Sequence, residues 1–493
     1  MSSVLLLTAI LIPVIFGIFV ILLPIGSRKV YLALSVTGVI LAAILTWVLI
    51  VNPPEGSFVL FKFVDKYAIE FKIDGLSRVF AGLISTLWPL SVIYAFEYMK
   101  HEASEKTLKE KTFFGMYTIT YGVTLGIAMS ANILTLYCFY EMLTLVTIPL
   151  VLFTLTRAAI MATRSYMVFS LGGAAFGFIS LIFIMVYGDS INFVYGGVFN
   201  NPGIDGRENL LRLVYFMGFM GFGVKAAVFP LNSWLPKAGV APTPVTALLH
   251  AVAVVKSGAF AIIRLTYFSY GDDILYGTWV QYVAMGFALF TILYGCTMAL
   301  KERHVKRRLA YSTISNLSYI LFAALIMTPA GLAAALSFMI FHGLMKITAF
   351  FCAGAFITRG ERYYIYELNG IYKEMPIISA LFALASLAIM GLPGLPGFIG
   401  KWLIATAAVK DGGFMELIGV GVLILSSLLT AVYMLQPVVR IYFSEKEGEL
   451  KPAKDPGPWM LIPLGILAVL LPLVGLGFAP LVEFITKVAE GVI

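Results

Sequence analysis

The sequence has 493 residues, of which 60% are hydrophobic and only 12% are charged, and its mean hydropathy is +0.95. Soluble domains are about 45–50% apolar, so this composition excludes an ordinary soluble protein and predicts a polytopic membrane protein. The net charge of +8 does not indicate a nucleic-acid-binding protein, because the basic residues lie in short loops between apolar segments.

Charged residues, proline and glycine divide the sequence into about fourteen apolar segments, each near the ~20-residue length of a membrane-spanning helix. We therefore predict an all-α polytopic membrane protein with about 14 transmembrane helices. The first segment has no basic residues before it and no small-residue cleavage site after it, which indicates a retained helix and not a signal peptide. The predicted spans are 4–23, 31–51, 76–97, 113–131, 133–154, 165–187, 211–229, 245–268, 276–300, 308–328, 331–356, 376–408, 415–443 and 458–485.

Basic residues concentrate in alternate loops of this map. By the positive-inside rule those loops are cytoplasmic, so both termini are predicted to lie outside. The opposite side is nearly free of basic residues, apart from the longer loop between the second and third spans. The basic loops cover residues 28–29, 100–111, 157–164, 301–308, 359–373 and 446–454.

Two predicted spans are interrupted by proline. The seventh stops at Pro230 and runs on to Pro236, and the twelfth contains Pro393 and Pro396. Proline removes a backbone donor and clashes with the preceding turn, so both helices should break inside the membrane, where exposed backbone is tolerated only beside protein or water.

The two breaks lie five spans apart, and a repeated unit with an odd number of helices enters the membrane inverted. We predict two inverted five-helix repeats, each with a broken helix. The predicted units are residues 1–111 (spans 1–3), 112–270 (spans 4–8), 271–445 (spans 9–13) and 446–493 (span 14).

Five charged residues lie inside otherwise apolar spans: Glu141, Lys225, Lys256, Lys346 and Lys401. A charge at the centre of a membrane helix costs roughly 2.5–3.5 kcal/mol on insertion scales. A chain that carries five such charges is expected to use them, and the default function is a path for protons or ions.

Lys225 and Glu141 are predicted to form the first station. Burial can lower the pKa of a lysine from about 10.4 to about 5 or 6, which lets the amine exchange a proton near neutral pH. Glu141 is the only acid deep in a predicted span, and Lys225 is its expected partner. The alternatives are a lysine that extends to the membrane surface and a protonated glutamate that bonds to a neighbouring helix.

Two histidine and lysine combinations follow. In a continuous helix His250 and Lys256 would lie about 120° and roughly 9 Å apart, as successive stations of a relay. His342 and Lys346 have i, i+4 spacing and share a helical face. Imidazole titrates near neutrality and suits a relay, whereas lysine does not suit a metal site. A packing role for His250 is the alternative.

Lys401 follows the second break and is the last charge of the series; an interfacial lysine is its alternative. The three cysteines have no metal-like spacing. The sequence has no iron–sulfur or nucleotide-binding motif, so we predict no cofactor, no metal and no catalytic centre.

Several ordered motifs resemble the antiporter-like subunits of respiratory complex I, Mrp-type cation/proton antiporters and membrane-bound hydrogenases. The motifs are Phe-Gly-Val-Lys225, Pro-Leu-Asn-Ser-Trp-Leu-Pro236, Ala241-Pro-Thr-Pro-Val-Thr-Ala-Leu-Leu-His250, Lys306-Arg-Arg-Leu-Ala-Tyr-Ser-Thr-Ile-Ser315 and Phe341-His-Gly-Leu-Met-Lys346. The resemblance runs from the fourth span to the thirteenth, and it looks closest to the Mrp D subunit type.

The resemblance implies that Glu141 and Lys225 form the ion pair of a first half-channel. It also implies that Lys256 and His250 connect this pair to His342, Lys346 and Lys401. Where members often carry an acid before the Lys-Arg pair of the tenth span, this chain has His304, and where many have Asp-Ala-His it has Lys237-Ala-Gly239. The end at Ile493 is expected to exclude the subunit type with a long lateral helix.

The predicted function is therefore proton or cation/proton translocation in a multisubunit complex of a prokaryotic plasma membrane. The favoured form is a D-type subunit of a Na⁺/H⁺ antiporter, with other membrane subunits as partners. The alternative is a proton-pumping subunit of a redox complex. A non-conducting scaffold subunit is a further alternative, and the short basic loops disfavour a membrane enzyme.

Overall fold

The computed structural model describes residues 2–64, 67–200, 204–446 and 451–491. Its secondary structure is helical except for one β-hairpin. The elements are α1 (Val4–Leu22), α2 (Arg28–Val51), β1 (Phe58–Val64), β2 (Tyr67–Phe71), α3 (Gly75–Glu102), α4 (Glu110–Ala128), α5 (Ile133–Val151), α6 (Arg157–Tyr187), α7 (Glu208–Gly223), α8 (Trp234–Ala238), α9 (Thr243–Ala251), α10 (Val254–Ile263, continued by a π-helix over Arg264–Tyr270), α11 (Asp272–Leu275), α12 (Trp279–Lys301), α13 (Val305–Leu325), α14 (Pro329–Gly360), two 3₁₀ turns (Ile365–Leu368 and Ile371–Lys373), α15 (Pro376–Met390), α16 (Pro396–Asp411), α17 (Phe414–Phe443), α18 (Pro458–Leu476) and α19 (Ala479–Ala489).

Ten helices in the described part of the chain are long and apolar enough to cross a membrane, with α9, α10 and the π-helix taken as one. The other four predicted spans coincide with α4, α7, α13 and the pair α15 and α16. These helices are either short or rich in hydroxyl and glycine residues, which lowers their hydropathy. The total of fourteen crossings stays a prediction.

The helices that carry the central charges are the most deeply buried. The apolar window of the segment Thr243–Tyr270 is 100% buried inside the protein and that of α14 is 94% buried, whereas the value is 33% for α1, α17 and α18. The outer helices therefore present most of their surface to the membrane. Lys256 and Lys346 lie on inner helices that are shielded from lipid.

Both predicted breaks are present. The first separates α7 from α8, and Lys225 lies in it, two residues after α7 ends. The second is the turn of residues 391–395 between α15 and α16. Pro230 and Pro393 lie in these breaks, but Pro236 lies within α8 and Pro396 is the first residue of α16. Proline is well suited to that first position, because its N–H would have no partner there.

A third break was not predicted, and the expectation of a continuous eighth span is wrong. The span divides between Ala251 and Val254, where the Ala253 N–H donates to the Leu248 carbonyl at 2.8 Å. This bond closes a turn one residue wider than an α-helical turn. No proline or glycine marks the position, so sequence periodicity gave no sign of it.

The hairpin of β1 and β2 was also not predicted. It occupies the longer loop between α2 and α3, with Phe58 opposite Phe71 in an antiparallel register. Beyond it, Asp74 caps α3 and accepts two hydrogen bonds of 2.7 Å from the fully buried guanidinium of Arg264. This ion pair fixes the π-helical end of the inner span to the start of α3.

Candidate functional site

Lys225 is fully buried in the first helix break. Its Nζ donates a hydrogen bond to the Tyr140 backbone carbonyl of α5 and lies 3.4 Å from the centroid of the Tyr140 ring. A ring face attracts a cation, so carbonyl and ring together form a cradle for the ammonium. The alternative of a lysine that extends to the surface is wrong for this residue.

Glu141 does not form the direct ion pair expected with Lys225. Among the described residues, no ion pair within 4 Å joins the two, and the Glu141 Oε1 is buried without a hydrogen-bond partner. The lysine and the acid are nevertheless neighbours, because Lys225 bonds to the residue that precedes Glu141.

The closest contact between predicted site residues joins two central helices. Lys256 Nζ on α10 lies 2.6 Å from His342 Nδ1 on α14, and both residues are fully buried. A hydrogen bond needs one donor and one acceptor. Either protonated Lys256 donates to neutral His342, or His342 donates to a neutral amine. A neutral amine can also donate to neutral His342, so the pair accommodates a full positive charge on at most one of the two groups.

In the part of the chain that the structure describes, no hydrogen bond joins His250 to Lys256. The His250 ring stacks on Phe350 with centroids 4.9 Å apart, and neither ring nitrogen has a hydrogen-bond partner. This geometry fits the packing role that the sequence left open.

Lys346 faces a different helix from His342, although the two are one turn apart. Its Nζ donates to Ser312 Oγ at 2.6 Å and to the Leu309 carbonyl at 3.3 Å, both on α13. Ser312 Oγ lies 2.8 Å from the Tyr433 hydroxyl of α17, and that hydroxyl donates to Thr430 Oγ1 at 3.2 Å. A chain of hydroxyl groups thus extends from Lys346 into α17.

Lys401 is only 7% exposed, so its side chain lies inside the protein. Its Nζ donates to the carbonyls of Ile389 and Met390 at 3.3 and 2.8 Å, at the end of α15. These carbonyls lack partners within their own helix, and a cation at a helix C-terminus also interacts favourably with the helix dipole. Lys401 therefore connects the two halves of the second broken helix.

Sequence reasoning missed two buried cations at the start of α13. Lys306 and Arg308 were assigned to a cytoplasmic loop, but they are only 6% and 3% exposed. Lys306 Nζ donates to the Ala241 carbonyl at 2.8 Å, and Arg308 Nη1 donates to the Tyr433 carbonyl at 2.8 Å. One feature of the sequence could have indicated that these cations are buried. The helix α13 contains many hydroxyl residues, which suit a central helix better than a lipid-facing one.

Comparison with known proteins places these features in one class of membrane protein. Residues 130–430, more than half of the chain, match the family model described as NADH:quinone oxidoreductase/Mrp antiporter, TM. The chain belongs to this family. All seven predicted site residues, from position 141 to position 401, fall inside the matched range.

Two curated relatives illustrate the range of the family. The chain is 26% identical over 423 residues to NADH-quinone oxidoreductase subunit N of Desulforudis audaxviator, with 83% of this chain and 82% of the relative covered. It is 28% identical over 465 residues to the A-type component of the Na(+)/H(+) antiporter of Alkalihalophilus pseudofirmus. That match covers 89% of this chain but only 53% of the relative.

Solved structures confirm the predicted fold class. A chain of the Mrp complex from Dietzia sp. superposes with a TM-score of 0.86 at 20% identity, covering 100% of this chain and 98% of the other. A chain of an archaeal membrane-bound sulfane sulfur reductase has a TM-score of 0.86 at 22% identity, with 99% and 97% covered. This is a multi-pass membrane protein with the antiporter-like subunit fold.

Proposed function

We propose that this chain translocates protons across the membrane as the D-type subunit of a multisubunit Na⁺/H⁺ antiporter. The observation that carries the proposal is the contact of 2.6 Å between Lys256 Nζ and His342 Nδ1. Two titratable groups that share one proton between inner helices can receive it from one side and release it to the other.

The proposed path follows the order of the charges along the chain. Lys225, beside Glu141, exchanges a proton at the first break, and the change in charge biases the Lys256 and His342 pair. The proton then reaches Lys346 on the same helix as His342, and Lys401 at the second break is the last station. His250 is kept as a predicted member of the relay, although its stacking on Phe350 fits packing equally well.

The two proline-containing breaks support the proposed division into inverted units of residues 112–270 and 271–445, since each unit has one such break with one lysine at it. We place both termini outside and the basic loops in the cytoplasm of a prokaryotic cell. The proposed partners are other membrane subunits, because the similar chains of known structure come from multisubunit complexes.

A second form of the function is proton pumping in a redox complex. The similarity to NADH-quinone oxidoreductase subunit N supports the redox pump. The similarity to a Na(+)/H(+) antiporter component supports the antiporter equally directly. The two forms differ in the driving reaction. Sodium-dependent proton flux in reconstituted vesicles supports the antiporter, whereas flux that requires an electron donor supports the pump.

The test of the shared mechanism is substitution of Lys256 in the assembled complex, followed by proton flux in vesicles. Lys256→Met removes the amine and keeps the length of the side chain, and it should abolish flux. Lys256→Arg keeps a cation that does not release its proton in proteins, and it should also abolish flux. Lys410→Met, at an exposed position of α16, is the matched control.

The two variants separate proton exchange from a simple need for positive charge. Full activity of Lys256→Arg with loss in Lys256→Met would assign an electrostatic role to the lysine. Wild-type flux in both variants would refute the mechanism and favour the scaffold function.

A further inference from the structure

A cavity of about 780 Å³ opens at one end of the helical bundle, away from the charged path. It lies where four helix ends meet: the starts of α2 and α18 and the ends of α3 and α14. Helix ends mark the level at which a membrane protein leaves the hydrocarbon layer, so this cavity lies at the depth of lipid headgroups.

Three cations line the cavity without an acidic partner. Lys29, Lys100 and Arg359 have no carboxylate within 4 Å in the part of the chain that the structure describes. By contrast, the neighbouring Arg28 is paired with Glu110 at 2.6 Å. The Nε of Arg359 is buried and has no hydrogen-bond partner among the described residues. The cavity therefore offers excess positive charge and at least one unused donor.

The walls change from charged to apolar along the helices. On α2, Lys29 is followed by Val36 two turns below, and on α3, Lys100 is preceded by Ile93 two turns below. Seven residues of α-helix span about 10 Å. The cavity is therefore cationic at its mouth and apolar about 10 Å deeper. Trp459, 55% exposed at the start of α18, has the amphipathic ring that is enriched at membrane interfaces.

One acid in the cavity limits the choice of ligand. Glu97 Oε1 accepts a hydrogen bond of 2.6 Å from the Gly457 N–H, but Glu97 Oε2 is buried and has no partner within the ranges that the structure describes. A ligand that carried only negative charge would leave this oxygen unsatisfied. A headgroup that combines a phosphate with a hydroxyl group satisfies both the cations and the carboxylate oxygen.

We propose that this cavity binds one anionic phospholipid with a hydroxylated headgroup of the phosphatidylglycerol type. The phosphate lies among Lys29, Lys100 and Arg359, a headgroup hydroxyl donates to Glu97, and an acyl chain descends along Val36 and Ile93 between α2 and α3. The proposal is independent of the transport function, because none of these residues belongs to the proton path.

The test uses the full chain, purified in detergent and incubated with vesicles of phosphatidylglycerol and phosphatidylcholine in equal amounts. Retained lipid is counted by native mass spectrometry. The wild type should retain one phosphatidylglycerol molecule in preference to phosphatidylcholine. The variant that combines Lys29→Gln, Lys100→Gln and Arg359→Gln should lose the preference by about tenfold or more, because each basic residue near an anionic surface contributes about 1 kcal/mol.

The matched control combines Lys301→Gln, Arg303→Gln and Lys373→Gln, which remove the same charge from exposed positions in other basic loops, and it should retain lipid like the wild type. Glu97→Gln should weaken the preference less than the triple variant does. Equal retention by the wild type and the cavity variant would overturn the proposal. Unchanged lipid retention together with failure of the cavity variant to assemble with other subunits would also overturn it, and would assign the surface to a protein partner.

Discussion

Substitution of Ser312 tests the exit of a proton from Lys346 in the proposed path. Ser312→Ala removes the hydroxyl that accepts a hydrogen bond of 2.6 Å from Lys346 Nζ. The Leu309 carbonyl at 3.3 Å remains as a weaker acceptor, and the Tyr433 hydroxyl keeps Thr430 as a partner at 3.2 Å. The variant should therefore fold, since the substitution leaves no other side chain without a hydrogen bond.

The expected effect on proton flux follows from the strength of that bond. A hydrogen bond to a charged group contributes about 1.5–3 kcal/mol, and each 1.36 kcal/mol in a barrier is about tenfold in rate. Because Leu309 compensates in part, the lower end applies, and flux in reconstituted vesicles should fall about tenfold. Ser386→Ala is the matched control: Ser386 is buried, and its Oγ bonds only to the Phe382 carbonyl of its own helix at 2.7 Å.

Tyr433→Phe distinguishes two roles for Ser312. If protons pass from Ser312 into α17, loss of the Tyr433 hydroxyl should lower flux as much as Ser312→Ala does. If Ser312 only positions Lys346, Tyr433→Phe should behave like its control Tyr94→Phe, whose hydroxyl bonds to a backbone carbonyl. Flux within about twofold of the wild type in Ser312→Ala, with Lys256→Met inactive, would refute the reasoning.

Three further predictions concern other charged groups. Glu141→Gln should abolish proton flux without loss of folded protein, since the buried Oε1 has no partner to lose; normal flux would exclude the acid from the path. Arg264→Ala should destabilise the protein by about 1.5–3 kcal/mol, because it removes the hydrogen bonds from the buried guanidinium to the partly exposed Asp74 carboxylate, and a fluorescence melting curve unchanged from the wild type would contradict this. Burial raises the pKa of the Glu374 carboxyl, but hydrogen bonds from Lys446 and a backbone N–H outweigh it and lower that pKa below its ordinary value of 4.5. A carboxyl whose pKa is lowered on folding stabilises the protein above pH 4.5, and this stabilisation is lost as the pH falls through the lowered pKa. As the pH is lowered through this range, the melting temperature should therefore fall less in Glu374→Gln than in the wild type.

The positions of the buried charges could be predicted from the sequence because a charge is rare in an apolar span and easy to see. The first two breaks could be predicted because proline has a fixed conformational effect. The third break, at residues 252–253, could not, because it arises from packing around α9 and α10 and no residue type marks it. Lys306 was assigned to a loop for a related reason. A charged residue at a helix end cannot be distinguished from a loop residue until the neighbouring helices are known.

Pairing between charges was the least predictable part of the site. Lys225 and Glu141 were expected to touch because they are the natural opposite charges, but Lys225 Nζ instead contacts the backbone carbonyl and the ring of Tyr140. The contact between Lys256 and His342 joins residues 86 positions apart, and only the tertiary fold brings them together. Sequence reasoning therefore identified the members of the proposed path but not which of them are in contact.

The bonds from Lys401 to the end of α15 give the second break a mechanical property. Two carbonyls of one half-helix accept hydrogen bonds from a side chain of the other half-helix, so the Lys401 ammonium links the two half-helices across the turn of residues 391–395. A neutral amine has one hydrogen fewer to donate. If Lys401 exchanges protons as proposed, loss of its proton would weaken this contact, so proton exchange and movement of the half-helices would be coupled at the same atom.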